Sequence, residues 1–141
     1  MTSDATRLSI VVAEDDPDDR VLTCDAIRQS GIEAEVRFVT DGVNLIADLR
    51  AGTPVAGALR GALPDLIFVD LNMPRLKGVE AIRIIKADAG LRSIPVVVLT
   101  TSRREDDITD AYDSGASAYI VKPLTPEEFR TVVRDRSGPE R

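Results

Sequence analysis

Apolar residues along the chain gather into five short runs, and the segments between them carry a helical period. Four runs are nearly continuous: Leu8–Ala13, Leu66–Val69, residues 95–99 and Ala118–Val121. Short unbroken runs of Val, Ile, Leu and Phe read as strands buried on both faces, as in a parallel sheet covered by helices on each side. The remaining run, residues 35–39, has its apolar side chains at alternate positions 36 and 38 and reads as an outer strand with a more exposed face.

The intervening segments supply five helices. Asp16 is placed to cap the first, with Pro17 at its first helical position. Val21, Cys24 and Ile27, with Leu22 alongside, are expected to form its apolar face, and Gly31 to end it. Asp41-Gly42 makes a turn into a short helix lined by Val43, Ile46 and Leu49. Lys77-Gly78 leads into a third lined by Val79, Ile82 and Ile85. The fourth is polar, running through Arg103, Arg104, Glu105, Asp106 and Asp107 with only Ile108, Ala111 and Tyr112 apolar, and Gly115 closes it. So thin a stripe predicts a mostly exposed helix. Thr125-Pro126-Glu127-Glu128 is a capping box, followed by Phe129, Val132 and Val133 on a helix ending near Arg134. Residues 51–64 lack a period and read as a loop, either a contact surface or a tolerated insertion.

Strands alternating with helices in the order (βα)5 predict an α/β, doubly wound, five-stranded parallel sheet. The strand order 2-1-3-4-5 puts strands 1 and 3 side by side at the switch point, where ligands bind beyond the carboxyl ends of the strands. One domain over residues 7–134 is expected, with flexible tails at 1–6 and 135–141.

Composition narrows the function. The 141 residues are 43% hydrophobic and 30% charged, and the net charge of -6 disfavours nucleic acid and anionic membranes as partners. No run approaches the ~18 apolar residues of a membrane span, and residues 1–7 lack the apolar core of a signal peptide. Cys24 is the sole cysteine, which rules out an internal disulfide and fits the cytoplasm. Histidine is absent, so imidazole catalysis, imidazole metal ligation and a phosphohistidine on this chain are all excluded.

Four strands end in groups with chemistry: Glu14 and Asp15, Asp70, Thr100, and Lys122. In a parallel sheet these ends share one edge. Each has a plain structural alternative: Asp70 shaping its turn, the five acids of residues 14–19 capping a helix, Lys122 forming an ion pair with Asp70. Capping, however, needs one or two acids. Carboxylates packed 4 Å apart repel by about 4 kcal/mol at an effective dielectric of 20. Oxygen ligands without His or Cys point to Mg²⁺. Asp15 and Asp70 are the candidate carboxylate ligands and the Asn72 backbone carbonyl a third oxygen, with Glu14 acting from behind them. A carboxylate can attack phosphorus to form an aspartyl phosphate. Lys122 and the Thr100 hydroxyl would then meet its oxygens.

At these residues the chain resembles the receiver domain of two-component response regulators, over residues 7–134. The motifs are Glu14-Asp15, Asp70 with Met73-Pro74, Thr100 followed by Ser102, and Tyr119 with Lys122-Pro123. The intervals of 30 residues from Asp70 to Thr100 and 22 from Thr100 to Lys122 match the family. The resemblance implies that Asp70 accepts a phosphoryl group from the phosphohistidine of a sensor histidine kinase and that Mg²⁺ is required. It implies that Thr100 and Tyr119 form a switch pair, that the Lys122-Pro123 bond is cis, and that Asn72 and Ser102 tune dephosphorylation. It further implies a signalling switch rather than a conventional enzyme, one that assists its own phosphoryl transfer and hydrolysis. Asp-Leu-Asn-Met-Pro, Val-Leu-Thr-Thr-Ser and the long loop before the third strand resemble the small regulators paired with phytochrome-type kinases. That likeness implies homodimers through the last strand and helices, and a stand-alone receiver whose output is a downstream protein or a phosphate relay. Lys77 departs from the Asp, Asn or Ser that often precedes the following Gly.

Two other classes fit less well. An aspartate-nucleophile phosphatase usually has a second acid where Asn72 stands. A flavodoxin-like cofactor binder would place Gly, Ser or Thr after the first strand, where this chain is acidic.

Overall fold

The computed structural model describes residues 7–52 and 63–136. Its elements alternate as β1 (Leu8–Ala13), α1 (Pro17–Gln29), β2 (Ala34–Val39), α2 (Gly42–Ala51), β3 (Leu66–Val69), α3 (Gly78–Ala87), β4 (Val96–Thr100), α4 (Glu105–Ser114), β5 (Ala118–Val121) and α5 (Pro126–Asp135). The sheet is all parallel in the order β2-β1-β3-β4-β5. This is the architecture and order expected from the sequence. The expected tail at 1–6, residues 137–141 of the expected tail at 135–141, and most of the loop at 51–64 lie outside the described residues. Ala51 ends α2 and Gly52 caps it. Asp135 belongs to α5 rather than to a tail.

Alternation along each buried strand divides the core in two. Val11, Ala13, Ile67, Val69, Val96 and Val98 face Leu45, Leu49, Ala81, Ile82 and Ile85 of α2 and α3. Ile10, Val12, Leu66, Phe68, Val97 and Leu99 face Ala26 and Ile27 of α1 and Phe129 and Val132 of α5. Phe68 and Phe129 meet with ring centroids 6.2 Å apart, which ties the central strand to the last helix.

Capping follows the sequence closely. Asp16 accepts the amides of Asp18 and Asp19, and Thr125 and Glu128 form the reciprocal capping box. The helix faces do not all follow. Val21 and Leu22 are 59% and 51% exposed, and the buried residues of α1 are Thr23, Ala26 and Ile27. The reason is angular: steps of three residues drift about 60° each around a helix, so positions 21 and 27 lie about 120° apart. Val43 is likewise 43% exposed, and α2 packs through Leu45, Ile46 and Leu49. On α4 only Ala111 and Ser114 are buried, in keeping with its thin stripe.

Two close approaches hold the segment after β3. A Cβ on Gly78 would lie 2.5 Å from the Asp70 carbonyl oxygen, and one on Gly42 would lie 2.3 Å from that of Leu76. Only glycine lets the starts of α3 and α2 press this tightly against the loop. Arg75 within it has φ 69° and an ion pair to Asp41, the N-cap of α2, at 3.1 Å. No described helix is long and apolar enough to cross a membrane.

Candidate functional site

Register places the strand ends together. Ala13 pairs with Val69, Val69 with Val98, and Thr100 with Val121. The residues that follow these strands therefore emerge on one edge. Ladder bonds continue past the strands, with the Glu14 amide donating to Val39, the Asp70 amide to Ala13 and the Lys122 amide to Thr100. Glu14, Asp70 and Thr100 are buried.

The Lys122 ammonium is the centre of the site. Nζ lies 2.5 Å from Glu14 Oε1, 2.6 Å from Asp19 Oδ2 and 2.7 Å from Asp70 Oδ2. Its side chain is only 9% exposed. Burial alone would weaken its hold on the proton, but hydrogen bonds to Asp19, Asp70 and Glu14 more than reverse this, and its pKa stands above the usual lysine value. Burial pushes the Glu14 carboxyl up, and the bonds it accepts from Lys122 and the Asp16 amide offset this only in part. Three carboxylates thus share one cation.

The acidic run of residues 14–19 divides by role. Glu14 and Asp19 turn to Lys122, Asp16 caps α1, and Asp18 sits exposed in the first turn. Asp15 is exposed and makes no hydrogen bond or ion pair within the described residues. Asp19 was not singled out from sequence as a site residue. The available signal was the surplus of acids over what capping requires, with Asp19 in the first turn beside the strand end.

Asp70 Oδ1 accepts the Asn72 amide at 3.1 Å, which curls the chain after β3 back on its own carboxylate. The Asn72 carbonyl accepts no hydrogen bond among the described residues. No three Asp, Glu or Cys side chains among those residues form a metal cage by themselves. What the edge offers a cation is an all-oxygen donor set, a surplus of negative charge, an unpaired carbonyl at Asn72 and an uncommitted carboxylate at Asp15. That chemistry fits a hard divalent ion.

On the β4 side, Ser102 links the remaining candidates. Its amide donates to Thr100 Oγ1 at 3.5 Å, and its carbonyl accepts from the Tyr119 hydroxyl at 2.9 Å. Its own hydroxyl donates to Asp107 at 2.5 Å. Burial raises the Tyr119 phenol above its ordinary value, with the charges of Asp107 and Asp70 adding to the effect. The Lys122-Pro123 bond is cis. Lys77 occupies the N-cap of α3 without a side-chain cap, and its amide donates to Glu80 instead.

Residues 10–134 match the model of the response regulator receiver domain. Among curated proteins, the response regulator Rcp1 of Synechocystis sp. is 35% identical over 125 residues, covering 89% of this chain and 83% of Rcp1. The DNA-binding response regulator MtrA of Mycolicibacterium smegmatis is 32% identical over 133 residues, 94% of this chain, and the chain spans about half (52%) of its length. Among solved structures, the phosphorylated cyanobacterial phytochrome response regulator RcpA superposes with a TM-score of 0.73 at 39% identity, covering 92% of each chain. The Mn²⁺-bound form of Rcp1 superposes with a TM-score of 0.71 at 32% identity, again over 92% of each.

Proposed function

This chain belongs to the response regulator receiver family, and from that premise we propose that it is a signalling switch thrown by phosphorylation of Asp70. The donor is the phosphohistidine of a sensor histidine kinase. The observation that carries the reading is the contact of Lys122 Nζ with Asp70 Oδ2 at 2.7 Å, on the edge where Thr100 also ends its strand.

In this reading a carboxylate oxygen of Asp70 attacks phosphorus. The O–P bond forms as the N–P bond of the donor breaks, and the imidazole leaves with its nitrogen available for a proton. Lys122 already lies against the carboxylate, so its fixed positive charge stands beside the oxygens of the incoming group and needs no reorganisation to stabilise them. The Thr100 hydroxyl supplies a donor from the neighbouring strand end. Burial of Glu14, Asp70 and Thr100 keeps bulk water from the rear of the site. Asn72 and Ser102, on the segments after β3 and β4, flank the approach of a hydrolytic water and tune the lifetime of the phosphoryl group. Thr100 and Tyr119 carry the change of state to the surface. The chain is thereby a switch rather than a conventional enzyme, although it assists its own phosphorylation and hydrolysis.

Asp15, Asp70 and the Asn72 carbonyl would hold Mg²⁺, with Glu14 behind them. When bound, the ion supplies charge neutralisation for the transferring phosphoryl group. Support comes from the donor chemistry of this edge and from the Mn²⁺-bound form of Rcp1. Kinship with RcpA and Rcp1 favours a phytochrome-type kinase as the upstream partner. In this reading the chain works in the cytoplasm, and its output passes to a downstream protein, to a phosphotransfer partner, or through a homodimer.

The test is intact mass after incubation with Mg²⁺ and acetyl phosphate. Wild type should gain one phosphoryl group, labile to hydroxylamine, and Asp70→Asn should gain none. Equal labelling of both would remove Asp70 from the role.

A further inference from the structure

Asp15 makes no hydrogen bond or ion pair among the described residues, so its exposed carboxylate is placed only through the two peptide links that flank it. One link is held by the acidic cluster itself, where the Asp16 amide donates to Glu14 Oε2 at 3.1 Å. The other is held from outside the cluster. Arg20 Nε donates to the Glu14 carbonyl at 2.8 Å, so a side chain of α1 reaches back across the turn that follows β1. The guanidinium carbon also lies over the Phe38 ring of β2, 5.2 Å from its centroid, within the range of a cation–π contact. Five acids crowd residues 14–19, yet Arg20 pairs with no carboxylate among the described residues. It takes a carbonyl and a ring instead, and leaves the edge its surplus of negative charge.

We propose that Arg20 is a positioning residue for the metal site: by holding the Glu14 carbonyl it fixes the peptide that leads into Asp15, and with it the placement of the Asp15 carboxylate. The inference rests on the reading of Asp15 as a ligand of Mg²⁺. A ligand carried on a slack turn must be ordered when the ion arrives, and that ordering lowers affinity. A turn already gripped has less freedom to lose. The charge of Arg20 acts with the opposite sign. A cation beside an acidic edge repels a divalent ion, so the removal of a mere bystander arginine would tighten Mg²⁺ binding. Side-chain length separates the two effects. Gln carries an N–H donor as many bonds from Cα as Arg Nε, Met carries a methyl group there, and neither is charged.

The experiment follows the amide NMR shifts of the full chain through a Mg²⁺ titration. Arg20→Gln and Arg20→Met remove the same charge, so the difference between them isolates the hydrogen bond. Arg20→Met should bind Mg²⁺ about fivefold more weakly than Arg20→Gln, the scale of one such bond. In an Asp15→Ala background the two should bind it equally, because the carboxylate that the grip places is gone. Any loss of thermal stability in Arg20→Met will appear in both backgrounds alike, so only an effect on Asp15 disappears with Asp15. Equal affinities of Arg20→Gln and Arg20→Met with Asp15 present overturn the inference alone. A difference that persists in the Asp15→Ala background also overturns it, since Arg20 then supports the fold at large. Equal Mg²⁺ affinity of wild type and Asp15→Ala takes Asp15 out of the metal site, and the inference falls with that reading.

Discussion

Lys122 and Asp70 lie 52 residues apart in sequence, on strand ends separated by β4, and their charged atoms meet at 2.7 Å. Glu14 and Asp19 approach the same ammonium at 2.5 and 2.6 Å, so the contact is one arm of a largely buried cluster. Removing one partner of such a cluster exposes the repulsion among the rest. Lys122→Ala should therefore lower stability by about 3 kcal/mol in metal-free buffer. Millimolar Mg²⁺ should restore much of the loss. Thermal midpoints of both proteins with and without the ion check this, and a metal-free midpoint unchanged by Lys122→Ala would show that the cluster carries no strain.

Asp15 presents the opposite case. It is exposed and without a hydrogen bond or ion pair among the described residues, so the fold makes no use of its carboxylate. Asp15→Ala should leave stability within about 0.5 kcal/mol of wild type. If Asp15 is a metal ligand, the same change should weaken Mg²⁺ binding at least tenfold. Stability and affinity falling together would mark a structural residue, and an unchanged Mg²⁺ titration would take Asp15 out of the metal site.

The contrast between these two residues also separates what the sequence made legible from what it did not. Strand order and the edge that gathers Asp70, Thr100, Lys122 and Glu14 followed from continuous apolar runs, because residues buried on both faces leave few other arrangements. Side-chain choices among similar neighbours did not follow. Five acids crowd residues 14–19, and only the path of the chain into α1 decides that Asp19 reaches Lys122 while Asp15 stays exposed. The bond from Ser102 to Asp107 depends on the turn between β4 and α4, where no period constrains the backbone. On α1 the large residues Val21 and Leu22 drew attention from Thr23 and Ala26, which are small enough to let the helix settle on the sheet.

The two sides of α1 differ in burial, and that difference yields a stability contrast. Ile27 of α1 is buried against the sheet, and Leu22 of the same helix is half exposed. Ile27→Ala should cost about 2–5 kcal/mol through lost burial and the cavity left behind. Leu22→Ala should change stability by no more than about 0.5 kcal/mol. Urea unfolding of the two variants checks the assignment of the face, and comparable losses would mean that α1 packs through both sides.

Acid stability should report on Asp41. Its carboxylate accepts the Asn44 amide at 2.8 Å and the Arg75 guanidinium at 3.1 Å, joining the start of α2 to the loop that follows Asp70. The backbone bond is the larger influence and Arg75 adds to it, so the carboxyl is held below its ordinary value. The sign follows from proton binding: near the ordinary value of about 3.9, the unfolded chain takes up a proton at this position more readily than the native one. The charged form of Asp41 thus stabilises the fold fully above that value, and the contribution disappears as pH falls through the lower native one. Asp41→Asn keeps a capping oxygen but cannot titrate. The stability difference between wild type and Asp41→Asn should therefore be flat above about pH 5 and shrink as the pH drops below about 4. Paired urea unfolding curves from pH 6 down to pH 2 measure it, and other acids, common to both proteins, cancel in the difference. A difference that stays constant across the range, or widens toward low pH, would show that Asp41 holds the loop without its charge.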